Sequence, residues 1–268
     1  MERVTSRQNP LVRRFRDLAR GSAADGAALL DGPHLLHEAL YSDTEVEVVA
    51  VADTAAAGAQ ALVEDAARRG ARVIGVSGSV LTAISPVTQP SGVVAIARVR
   101  PRALEDVLGA GRQAGRPALV LVLAAVQDAG NVGAIVRAAE GGGATGIVCT
   151  EGTADPFGWK ALRGGMGSTF RLPIAVRQPM TSTLAAARAA GIAVVATVPR
   201  DGTPISRCDL LRPSAVLLGA EGGGLDEAVA HGAEVRLTIP MHGPVESLNV
   251  AITAALICFE ASRQREEP

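Results

Sequence analysis

Four apolar runs in the second half of the chain, residues 118–125, 146–149, 192–198 and 215–218, lack the polar alternation of a half-exposed strand, and a further strand of the same sheet is read at 235–239. A strand that is apolar on both faces has to be covered on both, the condition of a strand inside a parallel sheet flanked by helices. Helical patterns fall between them, near 132–140, 183–190 and 226–230. The alternation predicts an α/β domain built on a parallel sheet. A last helix, from Val250 to about Ser262, is apolar nearly all round (Ala251, Ile252, Ala254, Ala255, Leu256, Ile257, Phe259). That pattern predicts a buried helix. It suits the core of one chain and a contact between two copies equally well.

Residues 1–100 repeat the alternation on a smaller scale. A basic helix follows Asn9-Pro10, with Leu11, Val12, Phe15 and Leu18 on one face. A strand at 27–30 ends at Asp31-Gly32-Pro33, and Pro33 opens a helix with Leu35, Leu36, Ala39 and Leu40 as its stripe. Strands follow at 46–51, 72–76 and 93–99, with helices at 55–69 and 79–84. Arg100-Pro101-Arg102 and the stretch 109–117 bracket the junction. The reading is a small α/β domain at 1–100, a linker at 101–116 and the larger domain at 117–268.

The formal net charge is −1, so no global positive field announces a nucleic-acid partner. The first twenty residues differ: six arginines (Arg3, Arg7, Arg13, Arg14, Arg16, Arg20) stand against Glu2 and Asp17, a local +4. This is either a solvated helix face or a local RNA-binding edge. Only one Tyr, one Trp and four Phe are present, too few for the stacking platforms of an RRM or OB module. The three cysteines (Cys149, Cys208, Cys258) have no paired spacing, and with the four histidines they give no zinc pattern. No metal is expected. A reduced, cytoplasmic setting fits. No apolar run approaches the roughly 18 residues that span a bilayer.

Three stretches carry chemistry. Gly130-Asn131-Val132-Gly133 opens the helix at 132–140, and Arg137 interrupts its apolar run. A charge there must pair or reach an opening, and Glu221 is a candidate partner. Asn131 taken alone reads first as a helix N-cap. The second stretch, Leu218-Gly219-Ala220-Glu221-Gly222-Gly223-Gly224-Leu225, follows an apolar strand. The third runs from Ile239-Pro240-Met241 through His242-Gly243-Pro244-Val245-Glu246 to Ser247-Leu248-Asn249 and the last helix. Ser247 suits that helix's N-cap. Gly-rich turns at the carboxyl ends of strands in an open α/β sheet are where ligands sit. Gly130-Asn131-Val132-Gly133 lacks the G-x-G-x-x-G spacing of a dinucleotide oxidoreductase.

Taken together and in this order, the three stretches resemble the SpoU (TrmH) family of RNA ribose 2′-O-methyltransferases, of the SPOUT superfamily. The resemblance implies an S-adenosylmethionine cofactor and a catalytic set of Asn131, Arg137, Glu221, Ser247 and Asn249. It assigns the cofactor to Thr197, Leu218, Gly219, Glu221, Gly222, Ile239, Met241, Ser247 and Leu248. It implies a parallel-sheet methyltransferase domain whose C-terminus threads a trefoil knot, preceded by a small RNA-binding α/β domain, and a homodimer. Arg7, Arg13, Arg14 and Arg163 are the expected RNA contacts. Ribosomal RNA is the favoured substrate, 23S first, with tRNA second; a non-catalytic RNA-binding protein on the same fold is the alternative. The stretch from Asp155-Pro156-Phe157 to Phe170 also resembles the family, and reads either as a cover over RNA or a partner, or as structural packing. Ala129 stands where the family often has Pro.

Overall fold

The computed structural model describes residues 1–21, 26–55 and 57–266. It divides into two compact units, Met1–Arg100 with Phe157–Arg171, and Pro101–Pro156 with Leu172–Pro268.

The first unit holds β1 (Glu2–Val4), α1 (Pro10–Ala19), β2 (Ala27–Asp31), α2 (Pro33–Leu40), β3 (Glu45–Ala52), α3 (Ala57–Arg68), β4 (Arg72–Val76), α4 (Gly78–Ile84) and β5 (Val93–Arg98). Its sheet has the order β1-β4-β3-β5-β2. β1, β4 and β3 run parallel, and β5 lies antiparallel to β3 and β2. β1 was not expected: three residues with one buried side chain carry no periodicity to read. α1 starts where Asn9 Oδ1 accepts from the Leu11 amide at 2.8 Å, with Pro10 in its first turn. Its stripe Val12, Phe15 and Leu18 is buried against Leu29, Ile74 and Ile96. At the sheet surface Glu47 is clasped by Arg14 and Arg98.

This unit also contains residues from far along the chain. α7 (Trp159–Gly165) packs on β2, burying Ala161 and Leu162, and Trp159 lies against the same apolar cluster as Phe15. Arg171 pairs with Glu38. Arg163 stands 3.8 Å from Asp31, a buried carboxylate that also accepts from Ser85 Oγ at 2.6 Å. Gly167 has φ +92°, and a Cβ there would lie 2.4 Å from Glu38 Oε2, so only glycine lets the segment lie down. The boundary at residue 100 therefore does not describe this unit completely. Removing residues 1–100 would strip Trp159 and Leu162 of their core.

The second unit begins with α5 (Leu104–Gln113). The expected linker is thus a helix, with Leu104, Val107 and Leu108 buried in this unit's core. Then come β6 (Leu119–Leu123), α6 (Ala129–Gly141), β7 (Gly146–Thr150), β8 (Ile174–Gln178), α8 (Met180–Ala189), β9 (Ala193–Thr197), β10 (Thr203–Pro204), β11 (Ser214–Leu218), α9 (Glu227–His231), β12 (Val235–Thr238) and α10 (Val250–Glu266). All seven strands are parallel, in the order β10-β12-β9-β11-β6-β7-β8. β6 and β11 are buried at every position, as their uninterrupted apolar sequence requires. From β6 the chain moves to β7 on one side; from β11 it moves to β12 on the other. The crevice beyond the carboxyl ends of β6 and β11 is thus a topological switch point, the place where open α/β sheets bind ligands.

α10 packs on α6 through Val250, Ala254, Ile257, Cys258 and Ala261, a stripe at helical spacing. Its far end is held by Arg265, which donates to the carbonyls of Pro117, Ala118, Leu210 and Arg212. The expectation that the whole helix is buried is corrected. Ile252, Leu256 and Phe259 are 52, 42 and 57% exposed and form a second, open apolar face. Among the described residues no helix is long and apolar enough to cross a membrane.

Candidate active site

The loops that follow β6 and β11 meet at the switch point. The first leads into α6, whose N-cap is Asp128: its Oδ1 accepts from the Asn131 amide at 2.9 Å. The N-cap reading of Asn131 is thereby corrected, because the cap lies three residues earlier. Asn131 sits inside the first turn with its side chain free for other work. Its Nδ2 donates to Glu221 Oε1 at 2.8 Å, and its Oδ1 accepts from Asn249 Nδ2 at 3.0 Å. Glu221 Oε2 accepts from the Gln127 amide at 3.3 Å. Asn249 Oδ1 accepts from the amides of Ala251 and Ile252 at 2.9 and 3.4 Å, which makes Asn249, not Ser247, the residue that caps α10.

One line of hydrogen bonds thus ties together side chains from all three stretches. Its polarity is set from one end. An ionised carboxylate accepts only, so Asn131 turns its amide nitrogen to Glu221 and its oxygen to Asn249. Asn249 must then turn its oxygen to the start of α10. Partial burial raises the Glu221 pKa, but the Asn131 amide and the backbone amides of Glu221 and Gln127 outweigh it, against Asp128, and hold it below the usual carboxylate range. Glu221 is therefore ionised at neutral pH.

Arg137 lies six residues beyond Asn131 on α6, about 9 Å along the axis, and is exposed. The expected Arg137–Glu221 pair does not form: Glu221 is engaged by Asn131, and among the described residues no carboxylate pairs with Arg137. Its charge is satisfied by solvent, the second of the two ways a cation on an apolar helix can be tolerated.

The residues assigned to the cofactor come from the carboxyl ends of three neighbouring strands, β12, β9 and β11. Thr197 ends β9, and its hydroxyl is spent on the Leu217 carbonyl at 2.8 Å. Leu218 is fully buried at the end of β11. Gly219, Ile239, Met241 and Leu248 are half-buried, while Glu221, Gly222 and Ser247 are exposed. The loop after β11 closes on itself through paired Ala220–Gly224 amide–carbonyl bonds of 3.0 and 3.1 Å. Residues 239–249 contain neither helix nor strand, which leaves backbone groups available to an adenine edge. The loops 218–224 and 239–249 contain no Lys or Arg and carry Glu221 and Glu246. That donor set suits a sulfonium, which a nearby cation would repel. Among the described residues no cluster of His, Cys, Asp or Glu could hold a metal ion.

Of the four arginines expected to touch RNA, Arg14 and Arg163 are engaged with Glu47 and Asp31. Arg7 Nε donates to the Ser79 carbonyl at 3.1 Å, and Arg13 is exposed. Sequence reasoning missed Asp128 and Gln127. The signal for Asp128 was present, an Asp just before a helical run; Gln127 contributes only its backbone, which no side-chain pattern reveals.

The sequence matches the SpoU rRNA Methylase family over residues 118–259 and the MRM3-like substrate binding domain over residues 9–95. It is 29% identical to 23S rRNA (guanosine(2553)-2′-O)-methyltransferase RlmP of Bacillus subtilis, over 97% of this chain and 98% of that one. The AdoMet-bound rRNA methyltransferase of Sinorhizobium meliloti is 30% identical and superimposes with a TM-score of 0.85, covering 98% of each chain. AviRb of Streptomyces viridochromogenes, also solved with AdoMet, is 25% identical with a TM-score of 0.83, covering 97% of this chain and 100% of that one. The chain therefore belongs to the SpoU rRNA methylase family, S-adenosylmethionine-dependent RNA 2′-O-methyltransferases with a SPOUT α/β domain.

Proposed function

We propose that this protein methylates a ribose 2′-hydroxyl of ribosomal RNA, 23S rRNA first, and acts in the cytoplasm as a homodimer. The observation that carries the reading is the Asn249–Asn131–Glu221 line. It gathers the polar side chains of the three motif stretches where the sheet topology places a ligand. The relative RlmP, named for 2′-O-methylation of 23S rRNA, favours that substrate over tRNA.

The cofactor, held by Thr197, Leu218, Gly219, Glu221, Gly222, Ile239, Met241, Ser247 and Leu248, supplies an electrophilic methyl group. The chain's own residues handle the acceptor. A guanidinium only donates hydrogen bonds and has no lone pair to take a proton, so Arg137 is not the base. Exposed and without a carboxylate, it binds the target phosphate and stabilises the alkoxide that develops on the 2′-oxygen. Asn131 and Asn249 are fixed by Glu221 and orient the nucleotide with Ser247. Arg7 and Arg13 add phosphate contacts in the first unit, while Arg14 and Arg163 contribute what their ion pairs leave free.

The test is incubation of the pure protein with methyl-labelled S-adenosylmethionine and, separately, unmodified 23S rRNA, 16S rRNA and a tRNA pool. The expected result is label on a ribose of 23S rRNA. Label in tRNA alone would reverse the substrate order. No label, with cofactor binding intact, would move the substrate to a ribosomal particle. Neither label nor cofactor binding would leave a non-catalytic protein on this fold.

The homodimer rests on Ile252, Leu256 and Phe259, an open apolar face on a helix whose other face is packed. Leu256→Asp should convert the dimer to monomer in sedimentation, because leaving an uncompensated carboxylate buried costs at least about 3 kcal/mol, roughly a hundredfold or more in dissociation constant. The monomer's fold should survive, since Leu256 is already 42% exposed in a single chain. An unchanged sedimentation profile would remove this face from the interface.

A further inference from the structure

The first unit carries a groove that the methyl-transfer chemistry does not use. Its volume is about 770 Å³, and it runs between α2 and α3. One wall is a single face of α2: His34, His37, Glu38 and Tyr41. The other is a single face of α3: Gly58, Ala61, Leu62, Asp65 and Arg68. Gly58 meets no atom within 4 Å where a side chain would begin, so the groove stays open there.

Tyr41 is the chain's one tyrosine, and it is 65% exposed. Two neighbouring side chains hold its ring. The His37 ring stacks on it at 4.6 Å with planes 29° apart. The Arg69 guanidinium sits 5.1 Å from its ring centroid. Arg69 is in turn fixed by the Leu40 carbonyl at 2.7 Å and by Asp65. The His37 side chain remains 54% exposed. Tyr41 thus meets an imidazole and a guanidinium at the edge of an open groove.

The charges around it favour an anion. Glu38 is neutralised by Arg171, and Asp65 is shared by Arg68 and Arg69. Around the groove three arginines thus stand against two carboxylates, and Arg68, though paired with Asp65, keeps 72% of its side chain exposed on the groove wall beside His34. An aromatic stack beside a cation is the arrangement that holds an unpaired nucleobase and its phosphate.

We propose that the α2–α3 groove is a binding site for an unpaired nucleotide of the RNA substrate, its base extending the His37–Tyr41 stack and its phosphate meeting Arg68. This rests on the reading of the protein as an RNA methyltransferase, and names residues through which the first unit grips single-stranded RNA.

Tyr41→Ala, Tyr41→Phe and Arg68→Ala test it in the full-length protein, by fluorescence anisotropy on a labelled oligouridine 12-mer and by steady-state methylation of 23S rRNA. Losing one base stack should weaken oligouridine binding about ten- to hundredfold for Tyr41→Ala, while Tyr41→Phe stays near wild type because the ring is what matters. KM for 23S rRNA should rise with Tyr41→Ala while kcat and S-adenosylmethionine affinity hold. Arg68→Ala should flatten the salt dependence of binding by about one phosphate contact. The proposal is overturned if Tyr41→Ala binds oligouridine and 23S rRNA as wild type does. Should wild type methylate no RNA at all, the functional reading fails, and the oligouridine arm still decides the groove.

Discussion

Arg137→Ala should lower the methyl-transfer rate by about 10²–10³-fold, the range for removing one group that stabilises developing negative charge. S-adenosylmethionine affinity should stay within about threefold of wild type, a difference below 1 kcal/mol. The separation follows from where the side chain stands. Arg137 lies on α6, exposed, and makes no bond to the loops 218–224 or 239–249 that are assigned to the cofactor. Its removal leaves the Asn249–Asn131–Glu221 line intact, because that line is closed without it. Single-turnover transfer to 23S rRNA, with cofactor affinity by calorimetry on the same sample, reads both quantities. Arg137→Lys should recover part of the rate, since an ammonium keeps the charge but not the planar fork that grips a phosphate. A large loss of cofactor affinity would move Arg137 into the donor site. An unchanged rate would leave the developing alkoxide without its cation and would defeat the assignment.

The parallel sheet of the second unit was legible because burial leaves a direct trace in composition. A strand covered on both faces, such as β6 or β11, has no polar position to confuse its reading. β8 escaped because only its first two residues are buried, and after the half-buried Val176 come Arg177 and Gln178. α5 escaped because Gly109, Gly111 and the turn to Pro117 looked like punctuation, whereas Val107 and Leu108 anchor a helix. The two units interleave for a reason that no local pattern carries. Phe157–Arg171 belongs with residues 1–100 because Asp31 and Glu38 find their cations there and Trp159 finds its apolar neighbours. Both ion pairs join residues more than a hundred positions apart. The motifs name Asn131, Glu221 and Asn249 as candidates, and the structure brings them together, but the wiring between them was not readable. Pairing Arg137 with Glu221 was the natural electrostatic guess. It failed because Glu221, on the loop beyond β11, meets Asn131 in the first turn of α6, while Arg137 lies nearly two turns further along the same helix.

Gly219→Ala should act on the opposite side of the reaction, cutting S-adenosylmethionine affinity about ten- to hundredfold. The reason is steric, not conformational. Gly219 does not occupy the left-handed region, so its backbone would accept alanine. The added Cβ, however, would lie 2.3 Å from the Gly224 carbonyl carbon and 2.5 Å from the Leu225 nitrogen. Both are backbone atoms, so no side chain can swing away, and the loop must open. Opening it breaks the Ala220–Gly224 bonds that close the turn. It also carries Glu221 away from Asn131, so the amide line loses the carboxylate that sets its direction. Overpacking of this kind costs about 1–3 kcal/mol, which should appear as a lower melting temperature without ligand as well as in calorimetric affinity. Gly223→Ala is the stability control: its Cβ meets nothing within 4 Å, and its melting temperature should match wild type. Set beside Arg137→Ala, the pair separates two halves of one site. One variant should bind the donor and fail to transfer it, and the other should fail to bind it. If Gly219→Ala kept full cofactor affinity, the loop after β11 would not be part of the donor site, and Glu221 would have to be read as an anchor for Asn131 alone.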